Sequence, residues 1–581
     1  MDIIEILKGK IVSVIEVLEK QELILSGLNK DEIVVEIPKD HAFGDFSSNA
    51  AMVLSKQVKS NPRQLAQNFI THFAPDDFIE SVEIAGPGFL NFKLRSNCWN
   101  EVIVSILKKR VSFDSEPTVA GQKVNIEFVS ANPTGPLHVG HSRGAVFGDV
   151  LANLLEASGY IVTREYYVND AGSQIDSLAR SAFSRYQEAL GVDTNSEGHE
   201  YPGDYLKDVG EDLKKQYGDR LLHYDEWVRL DTIKDFTVKK MLKLIRKDLA
   251  DLGIVMDNFV SEKDLYANGK VEESVAKLRK MGLIYKGSLE KPKGGNNQDW
   301  SVREQELFKS SQFGDDTDRP IKKADGSWTY FAPDIAYHHQ KLEQNYSKII
   351  NIFGADHSGY ITRMKAVVRA FSNGEKDLII RLCQLVKLYK DGKPVKMSKR
   401  AGSYITLRDL IDEVGKDAIR FLLLMRKNDA PIDFDFAKAV DQTRDNPVFY
   451  VQYANARICS ILRRARESNI NVSDEALLVA NLSLLKNESE LQAIKKLAEW
   501  PSIVTKAASR FEPHRIAFYL FELAQLFHGL QSLGKIDHEV RFLRIDDLKL
   551  TEARLAMIRS IQLVVRSGLD IFGIKPVDQM L

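Results

Sequence analysis

The sequence predicts a multidomain α/β protein with a small α+β N-terminal domain, a Rossmann-like α/β domain that contains an insertion, and an all-α bundle at its C-terminal end. Its 581 residues exceed the roughly 250–300 at which a single hydrophobic core stops growing. A strand pattern, a Pro/Gly turn and a helical pattern follow one another from residue 124, as in an α/β unit. Beyond about residue 406, nearly every segment has the apolar spacing of a helix.

The N-terminal domain is predicted to span residues 1–115. Residues 33–37 read as a strand, and residues 82–84 and 89–92 read as two strands around a Pro/Gly turn. A first helix is predicted from apolar residues at helical spacing, namely Ile4, Leu7, Ile11, Ile15 and Leu18.

The Rossmann-like domain is predicted to span residues 116–405 and to begin with a strand over 124–130. A helix should follow through Val146, Val150 and Leu154. Residues from about 170 to 320 are helical, charged and interrupted by loops, which is typical of an insertion, and the sheet resumes at 349–353.

The C-terminal part is predicted to be almost entirely helical. Residues 406–440 should form a connecting helical segment, and 441–581 a separate bundle. The helices with the clearest periodicity cover 407–426, 448–466 and 513–530.

Composition restricts the class of protein. Lys plus Arg number 80 and Asp plus Glu 81, so a nucleic-acid partner would have to be held by local patches. Cys98, Cys383 and Cys459 form no CxxC pair, which argues against a disulfide framework and a structural metal. We find no signal-peptide pattern and no apolar run near 18 residues, and we therefore expect a cytoplasmic protein without a membrane span.

The turn after the first Rossmann-like strand contains two histidines, His138 and His141, three residues apart. On a helix this spacing puts both rings on one face, at an N-terminal end that favours anions such as phosphate. Gly140 would let a flat base approach the backbone, and the rings could donate hydrogen bonds to charge that develops on an α-phosphate. The alternative is a pair of surface or metal-binding histidines.

A second basic element, Lys396-Met397-Ser398-Lys399, lies between Gly392 and Gly402. Its two ammonium groups suit a pyrophosphate leaving group. A solvated basic loop is the usual explanation for such a pattern, but the histidine turn upstream favours a nucleotide site.

The two elements resemble the HIGH and KMSKS signatures of class I aminoacyl-tRNA synthetases. Other segments are similar to bacterial arginyl-tRNA synthetases along almost the whole chain. These segments are residues 43–46, 85–91, 132–136, 313–316, 452–454 and 569–574, together with 417–420 (DAIR), which is similar to the DALR signature of an anticodon-binding domain.

The resemblance implies an arginine–tRNA ligase. Such an enzyme forms arginyl-adenylate and pyrophosphate from L-arginine and ATP with Mg²⁺, and then esterifies the terminal ribose of tRNA(Arg); in this family, the first step requires tRNA. The expected catalytic residues are His138, His141, Lys396 and Lys399. The expected ATP-binding residues also include Pro133, Thr134, Gly135, Gly140, Met397 and Ser398.

An arginine pocket needs carboxylates, because a guanidinium has five donors and no acceptor. Asp334 follows Pro333, which can start a helix, and Tyr330 should end the preceding strand. Asp356 or His357 should line the pocket after the later strand, with the choice left open. The resemblance adds Glu127, Ser130 and Asn132.

These pocket residues also have ordinary structural explanations. Asp334 could serve only as a helix-end residue, Tyr330 could serve only in packing, and Glu127 could pair with a buried Arg.

RNA contacts are expected on the helix over 448–466, where Tyr450, Tyr453, Arg457 and Arg463 could stack on bases and bind phosphates. A solvated charged face is the alternative. Asn455 stands where many relatives have His. By resemblance, the bundle binds the anticodon, the N-terminal domain touches the outer corner of the tRNA, and the protein is a monomer.

Three other functions remain to be compared with this prediction: a class I synthetase for another amino acid, a small-molecule nucleotidyltransferase, and a non-catalytic RNA-binding paralogue. The acidic pocket argues against the first. The helical C-terminal region argues against the second, and the intact histidine and lysine motifs argue against the third.

Overall fold

A computed structural model describes residues 2–38, 44–73, 76–109, 119–192, 200–289, 304–323, 325–390, 392–395 and 405–580. The predicted basic loop, Lys396-Met397-Ser398-Lys399, lies outside these residues.

The N-terminal domain has the predicted α+β composition. It contains α1 (Ile3–Lys20), β1 (Val35–Glu36), β2 (Phe46–Ser48), α2 (Ala50–Val58), α3 (Pro62–His72), β3 (Ile79–Ala85), β4 (Phe89–Leu94) and α4 (Ser96–Lys109). Asp2 caps α1 by accepting the N–H groups of Ile4 and Glu5, and all five predicted apolar positions of this helix are buried. The antiparallel sheet has the order β1-β2-β4-β3, and the strand predicted over 33–37 is reduced to β1.

The central domain is built on a parallel sheet. Its elements are β5 (Lys123–Glu127), α5 (Val139–Ala157), β6 (Ile161–Val168), α6 (Ser173–Ala189), α7 (Tyr205–Tyr217), α8 (Glu226–Asp251), β7 (Asn258–Ser261), α9 (Glu262–Ala267), α10 (Lys270–Lys280), β8 (Ile284–Gly287), β9 (Gln305–Phe308), β10 (Arg319–Pro320), α11 (Phe331–Glu343), β11 (Lys348–Gly354), α12 (Ile361–Phe371) and β12 (Leu378–Cys383). The five-stranded sheet has the order β12-β11-β5-β6-β7.

The segment predicted as an insertion over about 170–320 is not one unit. Helices α6 to α8 form a helical layer with its own apolar core. The chain then returns to the parallel sheet, since β7 pairs with β6, before a small antiparallel sheet of β10, β9 and β8. The strand β7 was missed because its four residues are too short for a clear pattern of alternation.

The connecting region contains β13 (Val386–Lys390), β14 (Lys393–Pro394), α13 (Leu407–Val414), α14 (Lys416–Leu422), β15 (Ile432–Asp435) and α15 (Phe436–Val440). The connecting segment predicted to be helical over 406–440 contains three helices and also the strand β15, which pairs in parallel with β13 and was not predicted. The single helix predicted over 407–426 is interrupted at Gly415, whose φ of +82° is a conformation that favours glycine.

The C-terminal bundle consists of α16 (Pro447–Glu467), α17 (Asp474–Leu478), α18 (Glu488–Arg510), α19 (His514–Ile536) and α20 (Leu548–Ile571). Helix α4 packs against α18 and α20, and Lys495 forms an ion pair with Asp45 at 2.5 Å, so the N-terminal domain contacts the bundle directly. Among the described helices, none is long and apolar enough to cross a membrane.

Candidate active site

A tight turn ends β5 and starts the path to α5. Val129 has a φ of +68°, and the N–H of Ser130 donates to the carbonyl oxygen of Phe128 at 3.0 Å. A positive φ is unusual for a β-branched residue and is typical of functional sites. The strand predicted over 124–130 therefore ends early at Glu127, and the reversal brings the Ser130 hydroxyl to 3.1 Å from the Glu127 carboxylate, to which it donates.

The two histidines cap α5 and stack on each other. The Nδ1 atom of His138 accepts the Gly140 N–H at 3.0 Å, and the Nδ1 atom of His141 accepts the His138 N–H at 3.2 Å. The ring centroids are 3.9 Å apart. Because each Nδ1 is an acceptor, each neutral ring carries its proton on Nε2, as a donor. The structure thus pairs two imidazole donors at the N-terminus of a 19-residue helix.

Gly140 is required by His138. A Cβ on Gly140 would lie 2.8 Å from Cε1 and 2.9 Å from Nδ1 of the His138 ring, too close for any ordinary contact. The sequence suggested that this glycine leaves room for a base, and in the structure it leaves room for the capping ring.

Tyr205 contacts the turn that contains the other predicted nucleotide-binding residues, Pro133, Thr134 and Gly135. Its hydroxyl donates to the carbonyl oxygen of Thr134 at 2.7 Å, and a Cβ on Gly135 would lie 3.0 Å from the same hydroxyl. Pro133, the residue before Thr134, is buried. Pro133, Thr134 and Gly135 therefore form a turn, held by Tyr205, just before the histidine pair.

The histidine turn also contacts the segment that follows residue 404. His138 and Thr406 form an isolated β-bridge, in which the Val139 N–H donates to the Ile405 carbonyl at 3.2 Å and the Leu407 N–H donates to the Leu137 carbonyl at 2.8 Å. On the other side, β14 pairs with β13 just before residue 396. The segment that follows the basic loop is therefore fixed beside the histidines, and the segment before the loop is fixed to β13, although Lys396 and Lys399 themselves are outside the described residues.

Three neighbouring strands end in polar side chains at the carboxyl edge of the parallel sheet, where open α/β sheets bind ligands. Glu127 is the last residue of β5, Tyr167 is next to last in β6, and Glu262 directly follows β7. Helix α11 lies beside this edge and directs one face to it, namely Asp334, Tyr337, His338 and Lys341, at the i, i+3, i+4 and i+7 positions of a helix.

Lys341 neutralises one part of this edge. Its ammonium group lies 2.8 Å from Oε2 of Glu127, 3.2 Å from Oδ1 of Asn351 and 3.5 Å from Oε1 of Glu165, and all four residues are buried. Burial alone would raise the pKa of Glu127, but Lys341 holds it below its ordinary value. Glu127 is thus a partner of a buried cation, as in the structural explanation given above, with Lys in place of Arg.

A second network orients His338 as a neutral ring. Its Nε2 atom accepts from the Asn351 amide at 3.0 Å and its Nδ1 atom donates to the Asp334 carbonyl at 2.8 Å. Burial lowers the pKa of His338 to about 4, so the ring carries no charge at neutral pH. This neutral ring fixes the first turn of α11 against the sheet.

The other part of the edge has an excess of negative charge. Burial, Glu262 and Glu127 raise the pKa of Asp334 well above its ordinary value, with Arg363 opposing them. Burial also raises the pKa of Glu262 to about 7, although this carboxylate accepts the Tyr167 hydroxyl at 3.0 Å. Carboxyl groups in this condition are stabilised by a cation that enters between them.

The remaining predicted pocket residues lie further out. Tyr330 is 67% exposed and flanks the start of α11 in helical conformation, so the prediction that it ends a strand was wrong. Asn132 is exposed and donates to Gln174 at 2.8 Å. Asp356 and His357 follow β11 in a 3-10 turn, are exposed, and lie 3.7 Å from each other.

No cluster of three or more His, Cys, Asp or Glu side chains suitable for a metal ion occurs within the described ranges.

The predicted RNA-binding helix presents an aromatic cluster with cationic edges. Tyr453 stacks on His528 with centroids 5.3 Å apart and accepts a hydrogen bond from Arg457 Nε at 2.6 Å. Tyr450 contacts the same His528 ring at 4.3 Å, and Arg463 is exposed. The four predicted residues therefore lie on a helix whose outer face mixes aromatic rings and guanidinium groups.

Asn455, the departure on the same helix, has an internal role. It is fully buried, its amide donates to the Val577 carbonyl at 2.7 Å, and its oxygen accepts from Arg566 at 3.0 Å. The Val577 N–H donates to the side-chain oxygen of the nearby Gln452 at 2.9 Å. Asn455 thus holds the C-terminal segment against α16.

Family models cover the chain in three consecutive parts. The arginyl tRNA synthetase N terminal domain matches residues 5–94, the class I (R) tRNA synthetase catalytic domain matches 102–443, and the DALR anticodon binding domain matches 451–580. The chain belongs to the arginyl-tRNA synthetase family. This confirms the resemblance inferred from the motifs, and it confirms the three-part fold.

Relatives in this family match over the full length. The arginine–tRNA ligase of Ruegeria pomeroyi is 51% identical over 580 residues, which is 100% of both chains. That of Cereibacter sphaeroides strain KD131 is 53% identical over 96% of each chain. A crystal structure of an arginyl tRNA synthetase from Campylobacter jejuni is 31% identical, with a TM-score of 0.72 over 84% of this chain and 100% of that one. The Thermus thermophilus arginyl-tRNA synthetase has the same fold, with 20% identity and a TM-score of 0.73 over 100% of both chains.

Two charged residues of the site were missed from the sequence. Glu262 is the first residue of α9, directly after β7, and the missed strand β7 concealed it. Lys341 lies two turns after Asp334 on an otherwise buried helix face. A lysine in register with an acid on an apolar face is the signal that could have revealed it.

Proposed function

We infer that this chain is an arginine–tRNA ligase, which converts L-arginine, ATP and tRNA(Arg) into arginyl-tRNA(Arg), AMP and pyrophosphate. The observation that supports the choice of amino acid is the pair Asp334 and Glu262, two carboxyl groups with raised pKa values at the ligand-binding edge of the sheet. A guanidinium restores the charge balance there and offers donors to both carboxylates, whereas a neutral amino acid does neither.

The pocket would hold the arginine side chain between α9 and α11. Asp334 and Glu262 accept its N–H groups, and Tyr167, which donates to Glu262, orders that carboxylate. Glu127 would add negative charge near the pocket without a direct hydrogen bond to the substrate, because Lys341 and Ser130 already contact its two oxygens. In this arrangement, Asn132 and Tyr330 at the rim would contact the polar end of the substrate.

In the first step, a carboxylate oxygen of arginine attacks the α-phosphorus of MgATP, the bond to the β-phosphate breaks, and pyrophosphate leaves. His138 and His141 donate through Nε2 to phosphate oxygens, where negative charge develops. Lys396 and Lys399 neutralise the leaving pyrophosphate, and the segment that follows them in the chain, at Thr406, is bridged to His138. Met397 and Ser398 complete the nucleotide contacts.

In the second step, a hydroxyl of the terminal ribose of tRNA attacks the carbonyl carbon of the adenylate, and AMP leaves. The bundle face around Tyr453 and Arg457 would bind the anticodon by stacking and by phosphate contacts. The N-terminal domain, which is seated on the same bundle, would contact the outer corner of the tRNA. We further propose that the enzyme acts as a cytoplasmic monomer.

ATP–pyrophosphate exchange with each amino acid, with and without tRNA(Arg), tests this function. We expect exchange with arginine alone, and only when tRNA is present. Exchange with a different amino acid would contradict the assignment of the pocket, and exchange without tRNA would contradict the expected dependence of the first step.

The role of the histidines is tested separately by Gly140→Ala. The new Cβ displaces the His138 ring, so kcat for exchange should fall by about tenfold or more, while the KM for arginine changes little. Gly144→Ala, one turn further on, is the matched control, because a Cβ there meets nothing within 4 Å.

A further inference from the structure

Arg420, in the DAIR segment, is fully buried where four parts of the chain meet. One guanidinium nitrogen donates to Oδ2 of Asp149 in α5 at 2.5 Å, and another donates to the Leu252 carbonyl after α8 at 3.1 Å. The Nε atom donates to the carbonyl of Phe572, directly after α20. Gly573 completes the site, since a Cβ there would lie 2.7 Å from the guanidinium.

A second contact joins α5 to the end of α20. The Asn153 amide, one turn after Asp149 on α5, donates to the Ile571 carbonyl at 2.9 Å, and Arg164 donates to the Asn153 oxygen at 2.7 Å. We call Arg420, Asp149 and Asn153 the clasp. It attaches the C-terminal half of α5 to the end of α20, the last helix of the bundle.

The N-terminal end of α5 carries the two histidines. Asp149 lies 11 residues after His138, which is about 16 Å along a helix that rises 1.5 Å per residue. A helix transmits a displacement along its axis, and misplacing a catalytic group by about 1 Å can cost on the order of 100-fold in rate. The position of α5 against the bundle therefore reaches the phosphate-binding end of the site.

We propose that Arg420 is a positioning residue for adenylate formation, which acts through Asp149 to hold His138 and His141 in register with the bundle. The proposal rests on the function inferred above, but its structural part is independent of it. The clasp makes the correct placement of the histidines depend on the seating of α20. Displacement of the bundle, and with it α20, from α5 would misplace the phosphate donors without altering any residue of the arginine pocket.

The chain provides a matched control for this proposal. Arg554 is also a buried arginine, its Nε donates to Glu490 at 2.6 Å, and it donates to a backbone carbonyl, that of Arg541, at 2.8 Å. This pair lies wholly inside the bundle, between α20 and α18. Arg420→Lys and Arg554→Lys should both lower the thermal midpoint, because each weakens a buried ion pair. Only the first should alter the site.

The experiment measures ATP–pyrophosphate exchange with arginine and saturating tRNA, at a temperature at which circular dichroism shows both variants folded. We expect Arg420→Lys to lower kcat by about tenfold or more with KM for arginine within threefold, and Arg554→Lys to keep kcat within twofold. Equal kcat values for wild type and Arg420→Lys would overturn the proposal, and so would an equal loss in both variants.

Two further measurements cover the other outcomes. If Arg420→Lys does not fold, Asn153→Ala removes the hydrogen bond to the Ile571 carbonyl and the one from Arg164, and keeps the Arg420–Asp149 ion pair; we expect kcat to fall by about two- to fivefold, and an unchanged kcat would overturn the proposal. Amide hydrogen exchange in the first turn of α5 needs no activity. It should accelerate in Arg420→Lys and not in Arg554→Lys, so it tests the clasp even if the wild type fails to use arginine.

Discussion

Helix α11 buries charge in two different ways on one face. At its C-terminal end, Lys341 lies among Glu127, Glu165 and Asn351, and every charged group has a partner. Two turns earlier, the charge of Glu262 acts on Asp334, and both carboxyl groups have raised pKa values. Buried carboxylates that share a cation, here called the balanced end, support the fold. Carboxyl groups with raised pKa values, here called the unbalanced end, indicate where a ligand of opposite charge binds.

The largest effect is expected from breaking the balanced end with Lys341→Met. Glu127 and Glu165 would then be buried without a cation, and the free energy of unfolding should fall by about 3–5 kcal/mol. Urea unfolding followed by fluorescence would measure it. The double variant Lys341→Met/Glu127→Gln removes one charge of each sign and should recover part of the loss. If Lys341→Met alone is as stable as the wild type, the assignment of this end as structural is wrong.

At the unbalanced end, Asp334→Asn should separate stability from function. Removing one partner of a buried charge pair costs about 2–5 kcal/mol, so the KM for arginine should rise by about 100-fold or more, with little change in the KM for ATP. The thermal midpoint should rise, because the variant removes an unfavourable carboxylate. Similar increases in both KM values would contradict a role in binding arginine.

Glu262→Gln should have a similar but smaller effect. The residue at 262 keeps its Tyr167 partner in this variant, so we expect the KM for arginine to rise by about tenfold. Glu272→Gln, on the neighbouring helix α10, changes the same residue type at a site bonded to the Trp328 indole and is the control. Equal kinetics for the two variants would show that Glu262 does not contact arginine.

The smallest effect is a pH dependence. Because the pKa of Glu262 is raised to about 7, from an ordinary 4.5, its ionisation destabilises the free protein as pH rises from about 4.5 to about 7, and the penalty is complete above that range. The KM for arginine should accordingly increase as pH falls below about 7. Kinetics between pH 6 and 8 would measure this slope, and Glu262→Gln should flatten it.

The sequence predicted the elements that have a strong period. The five apolar positions of α1 and the helices α16 and α19 lie where their spacing placed them. Short elements were missed or misplaced: β7 and β15 have four residues each, which is too few for alternation to be distinguished from chance. The reversal at Val129 was also hidden, because a β-branched residue at the end of an apolar run predicts a longer strand.

The site was predicted in part, for a related reason. His138, His141 and Asp334 lie on signals of local sequence, a Pro/Gly turn and a helix start. Glu262 and Lys341 acquire their roles only when the fold brings them within electrostatic reach of residues 72 and 214 positions away, Asp334 and Glu127 respectively. Such pairings are set by the order of strands in the sheet, which one sequence does not reveal.

The capping of α5 by His138 and His141 distinguishes the phosphate-binding end of the site from the arginine-binding end, which changes its charge near neutral pH. With Nδ1 of each ring accepting a backbone N–H, the cap requires the neutral ring with its proton on Nε2, because a second proton on Nδ1 would remove the acceptor. The phosphate end therefore needs no proton from solution to act as a donor. The arginine end, in contrast, contains Glu262, whose pKa of about 7 makes its charge change near neutral pH, so a mildly acidic medium weakens its attraction for a guanidinium.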